Sequence, residues 1–167
     1  ELIKVDFSYS NIKEIQSQMC KNMVSGIEQA ILNLFETLTV KHAWYPECER
    51  NIHYYNGWAS NKAWYVNSKV VLPVNGYDTF WKKFRYSYNV SSTISDIDHA
   101  FDYLAGCPGA SSNSAQALAS AETNGQSKAI RTKYMSLTFY KKGTMHVEFT
   151  DLDVLKCLNI FAGRYYN

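Results

Sequence analysis

The sequence predicts an α+β fold: an antiparallel sheet, made of a meander plus a C-terminal hairpin, packed by a long N-terminal helix and a C-terminal helix. Three observations predict it. Residues 134–149 contain two strictly alternating runs joined by Lys141-Lys142-Gly143, which is a hairpin pattern. Residues 12–38 repeat apolar groups every three or four positions, which is a helical period. Between the two strand groups there are only short helical patterns, an arrangement that suits antiparallel rather than parallel pairing.

Taken in order, residues 1–9 read as a short strand or an arm. Asn11 and Glu14 have capping-box spacing at the start of a helix over residues 10–40. Ile12, Ile15, Met19, Met23, Ile27, Ile31, Leu34 and Leu38 form its stripe, and Gly26 marks a place to bend. Such a helix, roughly 40 Å long, either backs the sheet or meets another chain. Residues 42–50, with His42, Trp44, Pro46 and Cys48, read as a connector.

Residues 51–74 read as the meander. A strand over 51–55 ends at Asn56-Gly57, a strong hairpin-turn signal. Residues 58–66 return, with Trp64 and Val66 on one face, and the β-branched run from Lys69 stops near Pro73. Residues 79–86 mix Phe80, Trp81 and Phe84 with Lys82, Lys83 and Arg85, and read as a short amphipathic helix with a basic side. Ser95 and Asp98 have capping-box spacing for a helix over 95–106, with Ile97, Phe101 and Leu104 as its stripe and Gly106 as its stop. Residues 107–127 are small and polar and read as a loop, with a weak helix near 115–122.

The hairpin spans 131–149. Pairing Tyr140 with Thr144 sets Phe139 beside Met145, Leu137 beside Val147 and Met135 beside Phe149, so every apolar side chain falls on one face. The other face carries tyrosines, hydroxyls, His146 and Glu148. A helix over 151–162 follows, with Thr150 and Asp153 at capping-box spacing, Asp151 in the first turn and Gly163 at the C-cap. Leu152, Leu155, Leu158 and Phe161 form the stripe that closes over the hairpin.

A length of 167 residues suits one domain, and a 46% hydrophobic share is too high for a disordered chain. Because the first residue is Glu1 rather than Met, a piece of a longer protein is expected. No apolar run approaches the roughly 20 residues of a membrane span, so a cytoplasmic location without a membrane partner is expected. Cys20, Cys48, Cys107 and Cys157 are scattered without a C-x-x-C, which fits unpaired thiols rather than zinc or a disulfide framework. Net charge is only +2, but it is uneven. Residues 51–94 hold five basic groups against one acidic, and residues 128–150 hold the same. Residues 95–127 hold four acidic groups and no basic one.

The candidates for chemistry are few. Asp96, Asp98, His99 and Asp102 cluster on one helix; dipole compensation at an exposed helix start explains them better than a metal site, so no metal is assigned. His146 and Glu148 share a strand face and are weak catalytic candidates, as acid–base or metal-dependent hydrolase groups. They lack the P-C-x-x-C partner of the zinc deaminases. Cys48 near His42 and His53 is a remote candidate nucleophile. Lys82, Lys83, Arg85, Lys133, Lys141 and Lys142, with Lys128 and Arg131, are the phosphate-contact candidates. Tyr134 and Tyr140, with Tyr54, Tyr55 and Trp58, are the stacking candidates. No phosphate loop, serine elbow or H-E-x-x-H is present, and no cofactor is expected.

Residues 51–73 (NIHYYNGWASNKAWYVNSKVVLP) and 133–161 (KYMSLTFYKKGTMHVEFTDLDVLKCLNIF) resemble a bacterial and phage domain of unknown function found in mobile-element proteins. That domain commonly follows an adenine-specific DNA methyltransferase-like domain. The resemblance covers residues 10–167 and brings no catalytic residue with it. It implies a tail beyond Asn167. The methyltransferase hallmarks, a Gly-rich cofactor loop and an N-P-P-[FY] motif, are absent, so methylation by this chain alone is not expected. The expected function is a non-catalytic accessory module contacting DNA or RNA through a basic, aromatic sheet face. The expected partners are nucleic acid, a methyltransferase-like domain and a second copy. The alternatives are a protein-interaction or oligomerisation module built on the N-terminal helix, and a metal-dependent hydrolase.

Overall fold

The C-terminal hairpin organises the chain, and a computed structural model describes residues 8–39, 61–62, 64–109 and 113–166 around it. Strands β5 (Met135–Tyr140) and β6 (Thr144–Phe149) pair in the expected register, with Met135 opposite Phe149, Leu137 opposite Val147 and Phe139 opposite Met145. Gly143, at φ 79°, supplies the left-handed residue the three-residue loop needs. Strand β1 (Lys69–Leu72) adds to β6, and β4 (Ile130–Arg131) adds to β5. The antiparallel order is β1-β6-β5-β4.

One face of this sheet is apolar and covered. Helix α1 (Tyr9–Thr39), helix α2 (Tyr88–Leu104) and helix α4 (Leu152–Gly163) contribute Ile31, Leu34, Leu38, Ile94, Ile97, Phe101, Leu155 and Leu158 to the core it shares. Phe101 stacks on Phe149, with centroids 5.2 Å apart. Helix α3 (Ser114–Thr123) sits beside β4 and buries Leu118 and Ala121. Two asparagines brace the β1 edge. The buried Asn61 amide donates to the Val71 carbonyl and accepts from the Val71 N–H, both at 2.8 Å, as a neighbouring strand would. Asn159 of α4 makes the same two-way clamp on Val66.

Several expectations are corrected. Residues 79–86 are not a helix: β2 (Tyr77–Asp78) and β3 (Lys83–Phe84) form a tight hairpin. Asp78 Oδ1 accepts from the N–H groups of Phe80 and Trp81, which folds the chain back before a helical turn can form. Helix α2 begins at Tyr88, not near Ser95, because Val90 and Ile94 extend its buried stripe by two turns. Ser95 and Asp98 therefore lie inside the helix rather than at its start. The weak helix near 115–122 is real, so 107–127 is not one loop.

Among the described residues of this stretch, Lys62 and Tyr65 form an isolated bridge, and Trp64 is exposed while Val66 is buried. The caps of the long helices also move. Ser8 Oγ accepts from Asn11 N–H at the start of α1, and Asp151 accepts from Val154 N–H at the start of α4. Gly163 is the last helical residue of α4 and Arg164 takes the cap. Leu152 is exposed and Val154 takes its place in the core. Residues 1–7, the connector, the strand over 51–55 with its Asn56-Gly57 turn, and the candidates Tyr54, Tyr55, Trp58, His42, Cys48 and His53 lie outside the described residues. Among the described residues, no helix is long and apolar enough to cross a membrane.

Candidate nucleic-acid interface

The uncovered face of the sheet is polar because alternation sends the side chains between the apolar ones to the far side. β6 presents His146 and Glu148, β5 presents Ser136, Thr138 and Tyr140, and β1 presents Lys69. These residues line a groove of about 920 Å³, whose rim is completed by Tyr77, Ser127, Lys128, Lys141 and Lys142. Four lysines thus face one carboxylate, Glu148. Lys69 Nζ lies 3.1 Å from Glu148 Oε1, a solvent-exposed pair worth little in stability.

Rings sit among the charges. The Tyr140 and His146 rings lie 4.4 Å apart and tilted by 47°. Lys141 Nζ stands 5.8 Å over the Tyr77 ring. Partial burial, and then the Lys69 ammonium, pull the His146 pKa below its ordinary value. Its imidazole is therefore neutral at neutral pH. The backbone at the groove edge is strained at Ala129, held at φ 51° while its N–H donates to Thr138 Oγ1. Lys128, the residue before it, lines the groove.

The structure divides the sequence candidates. Tyr140, Lys141 and Lys142 line the groove, together with His146 and Glu148. Lys82, Lys83 and Arg85 lie on the β2–β3 hairpin, where Arg85 pairs with Asp78 at 3.5 Å. Lys133 and Tyr134 belong to neither. Tyr134 is buried and packs on Phe101, which leaves no ring face for a base. Lys133 Nζ and the Tyr134 hydroxyl both donate to Asp102 Oδ1 at 2.6 Å. Burial pushes the Asp102 carboxyl up, but these two hydrogen bonds and the Lys133 charge outweigh it and hold the pKa below its ordinary value. The same contacts, with the Asp102 bond foremost, raise the Lys133 pKa.

Asp98 and Asp102 are buried in the second half of α2. They do not compensate a helix start, which corrects that expectation. Asp96, His99 and Asp102 line a separate cavity of about 570 Å³, along with Ile27 and Leu34 of α1 and Tyr103 of α2. Among the described residues, no three His, Cys, Asp or Glu side chains come together as a metal-holding group. Sequence reading passed over Lys69 and Tyr77 as groove residues. Lys69 only opens a β-branched run, and Tyr77 lies in a hairpin whose two-residue strands are too short to show alternation.

The chain belongs to the family described as a domain of unknown function, DUF4942, whose sequence model matches residues 1–167. No curated protein and no solved structure matches it.

Proposed function

We propose that this domain is a non-catalytic accessory module that contacts nucleic acid through the open face of its sheet. The observation that carries the reading is the groove itself, where lysines, hydroxyls and aromatic rings converge on one concave surface. Lysines serve phosphates as point charges, and exposed rings serve bases of any sequence. The resemblance to mobile-element and phage domains favours the same reading. On it, the module holds nucleic acid for an adjoining adenine-specific methyltransferase-like domain.

A salt titration of binding to single- and double-stranded DNA and RNA tests it. Lys128, Lys141 and Lys142, each meeting one phosphate, give a log–log slope of about −2 on a single strand. Lys141→Glu with Lys142→Glu should remove about two-thirds of that slope and most of the affinity. Unchanged binding by that variant, or no binding by the native chain at low salt, overturns the reading.

One observation favours a second reading, self-association through α1. Ile12, Ile15, Met19 and Met23 are exposed and follow three- and four-residue spacing, the narrow seam that pairs with a like helix. Sedimentation that gives a concentration-independent monomer sinks it.

A further inference from the structure

Residues 79–82, the turn between β2 and β3, expose two large rings. Phe80 and Trp81 are 81% and 67% accessible and meet edge to face, with centroids 5.0 Å apart. Tight turns are ordinarily filled by Gly, Pro, Asn, Asp or Ser. Two aromatics held in water therefore call for a ligand.

The turn is built to be rigid. Asp78 Oδ1 takes two backbone N–H groups at 2.9 Å, and the Tyr77 hydroxyl donates to the Lys82 carbonyl. Lys82 is held at φ 54°, a left-handed conformation that an ordinary side chain resists. Below the turn, Phe84 is buried and stacks on Phe139, which anchors the hairpin to β5. The rings thus stand on a fixed support and lose little freedom on binding.

Placement suggests what they meet. Tyr77, at the base of this hairpin, also lines the sheet groove. Phe80 follows three residues later, within about 10 Å of backbone. Lys82 and Lys83 directly follow the rings, and both are exposed. We infer that Phe80 and Trp81 form an aromatic wedge at the end of the groove that stacks against an unpaired base, so that the ligand of the sheet face is single-stranded nucleic acid. This rests on the proposed sheet-face reading. A base inside a duplex keeps both its faces stacked and offers none to the wedge. A bilayer surface suits the turn alone, but it does not enter a concave groove lined by lysines and hydroxyls.

The test compares the native chain with Phe80→Ser/Trp81→Ser, whose altered side chains lie in solvent and leave the core intact. The probes are one labelled deoxyoligonucleotide, as single strand and as duplex, and phosphatidylserine-containing vesicles. The variant should lose roughly ten- to a hundredfold in single-strand affinity, with an unchanged salt slope and little change on the duplex. Native binding that the variant retains in full overturns the wedge and leaves the sheet reading standing. No nucleic-acid binding by the native chain overturns both. Vesicle binding that the variant abolishes, with nucleic-acid binding untouched, assigns the turn to a membrane surface and overturns the wedge.

Discussion

Gly76→Ala should destabilise this protein, although the backbone at Gly76 is not in the left-handed region that requires glycine. The reason is space. A Cβ there would stand 2.4 Å from Cδ1 and 2.7 Å from Cε1 of Phe139. Carbon atoms pack at about 3.5–4.0 Å, so the ring must move by about an ångström. Phe139 is 2% exposed and stacked on Phe84 at 4.5 Å, so it cannot move without disturbing that pair.

Overpacking of this kind costs about 1–3 kcal/mol. The loss of chain freedom in the unfolded state works the other way, by about 0.4–1 kcal/mol. With the overpacking cost in the middle of its range, at about 2 kcal/mol, the net is a loss of about 1–1.6 kcal/mol, or roughly 2–6 °C in Tm for a chain of this size. Urea denaturation reads it directly. The cycle with Phe139→Leu isolates the cause. Once the ring is gone, Gly76→Ala should turn slightly stabilising, because only the unfolded-state effect remains. A Gly76→Ala protein as stable as the native one refutes the reasoning. So does an equal loss in the Phe139→Leu background.

Asn61→Ala should cost about 2–3 kcal/mol, because it strands the buried N–H and carbonyl of Val71 and opens the β1 edge; a loss below about 0.5 kcal/mol in urea denaturation counts against the clamp. The Asp102 carboxyl lies below its ordinary 3.8 in the folded state, so its contribution is present above that value and lost as pH falls through the lower folded value. Asp102→Asn should therefore flatten the acid limb of the stability profile below about pH 4, and a limb superimposable on the native one contradicts the network. Ala129→Gly relieves a left-handed alanine worth about 1–2 kcal/mol but frees the unfolded chain, so a net gain of about 0.5–1 kcal/mol is expected, and a lower denaturation midpoint disproves the strain.

Much of the fold was legible because it is periodic and local. The register of β5 against β6 follows from six alternating apolar residues and one glycine loop, since a one-residue slip would turn the three apolar residues of one strand to water. Helix α1 is legible from its three- and four-residue spacing, although its first half proves to lack a covering element among the described residues. The open polar face was legible for the same reason as the apolar one, and Tyr140, Lys141 and Lys142 lie on the groove that it forms.

What misled was also local. Phe80, Trp81 and Phe84 have helical spacing, but one aspartate carboxylate folds those residues into a turn and only Phe84 finds the core. Ser95 and Asp98 imitate a cap in the middle of a helix whose stripe begins at Val90.

The sequence by itself determined the strand pairing at the C-terminus, helices α1 and α4 and the polarity of each sheet face. Those depend on repeats of two and of three to four residues, which any short window contains. Only the tertiary structure decided which charges remain available. Lys133 and Tyr134 looked like surface groups until Asp102, 31 and 32 residues away in the chain, took both. Asn159 clamps Val66 across 93 residues, and Asn61 stands in for a strand on β1. A buried polar group must find a partner wherever the fold supplies one, and no local pattern says where that will be.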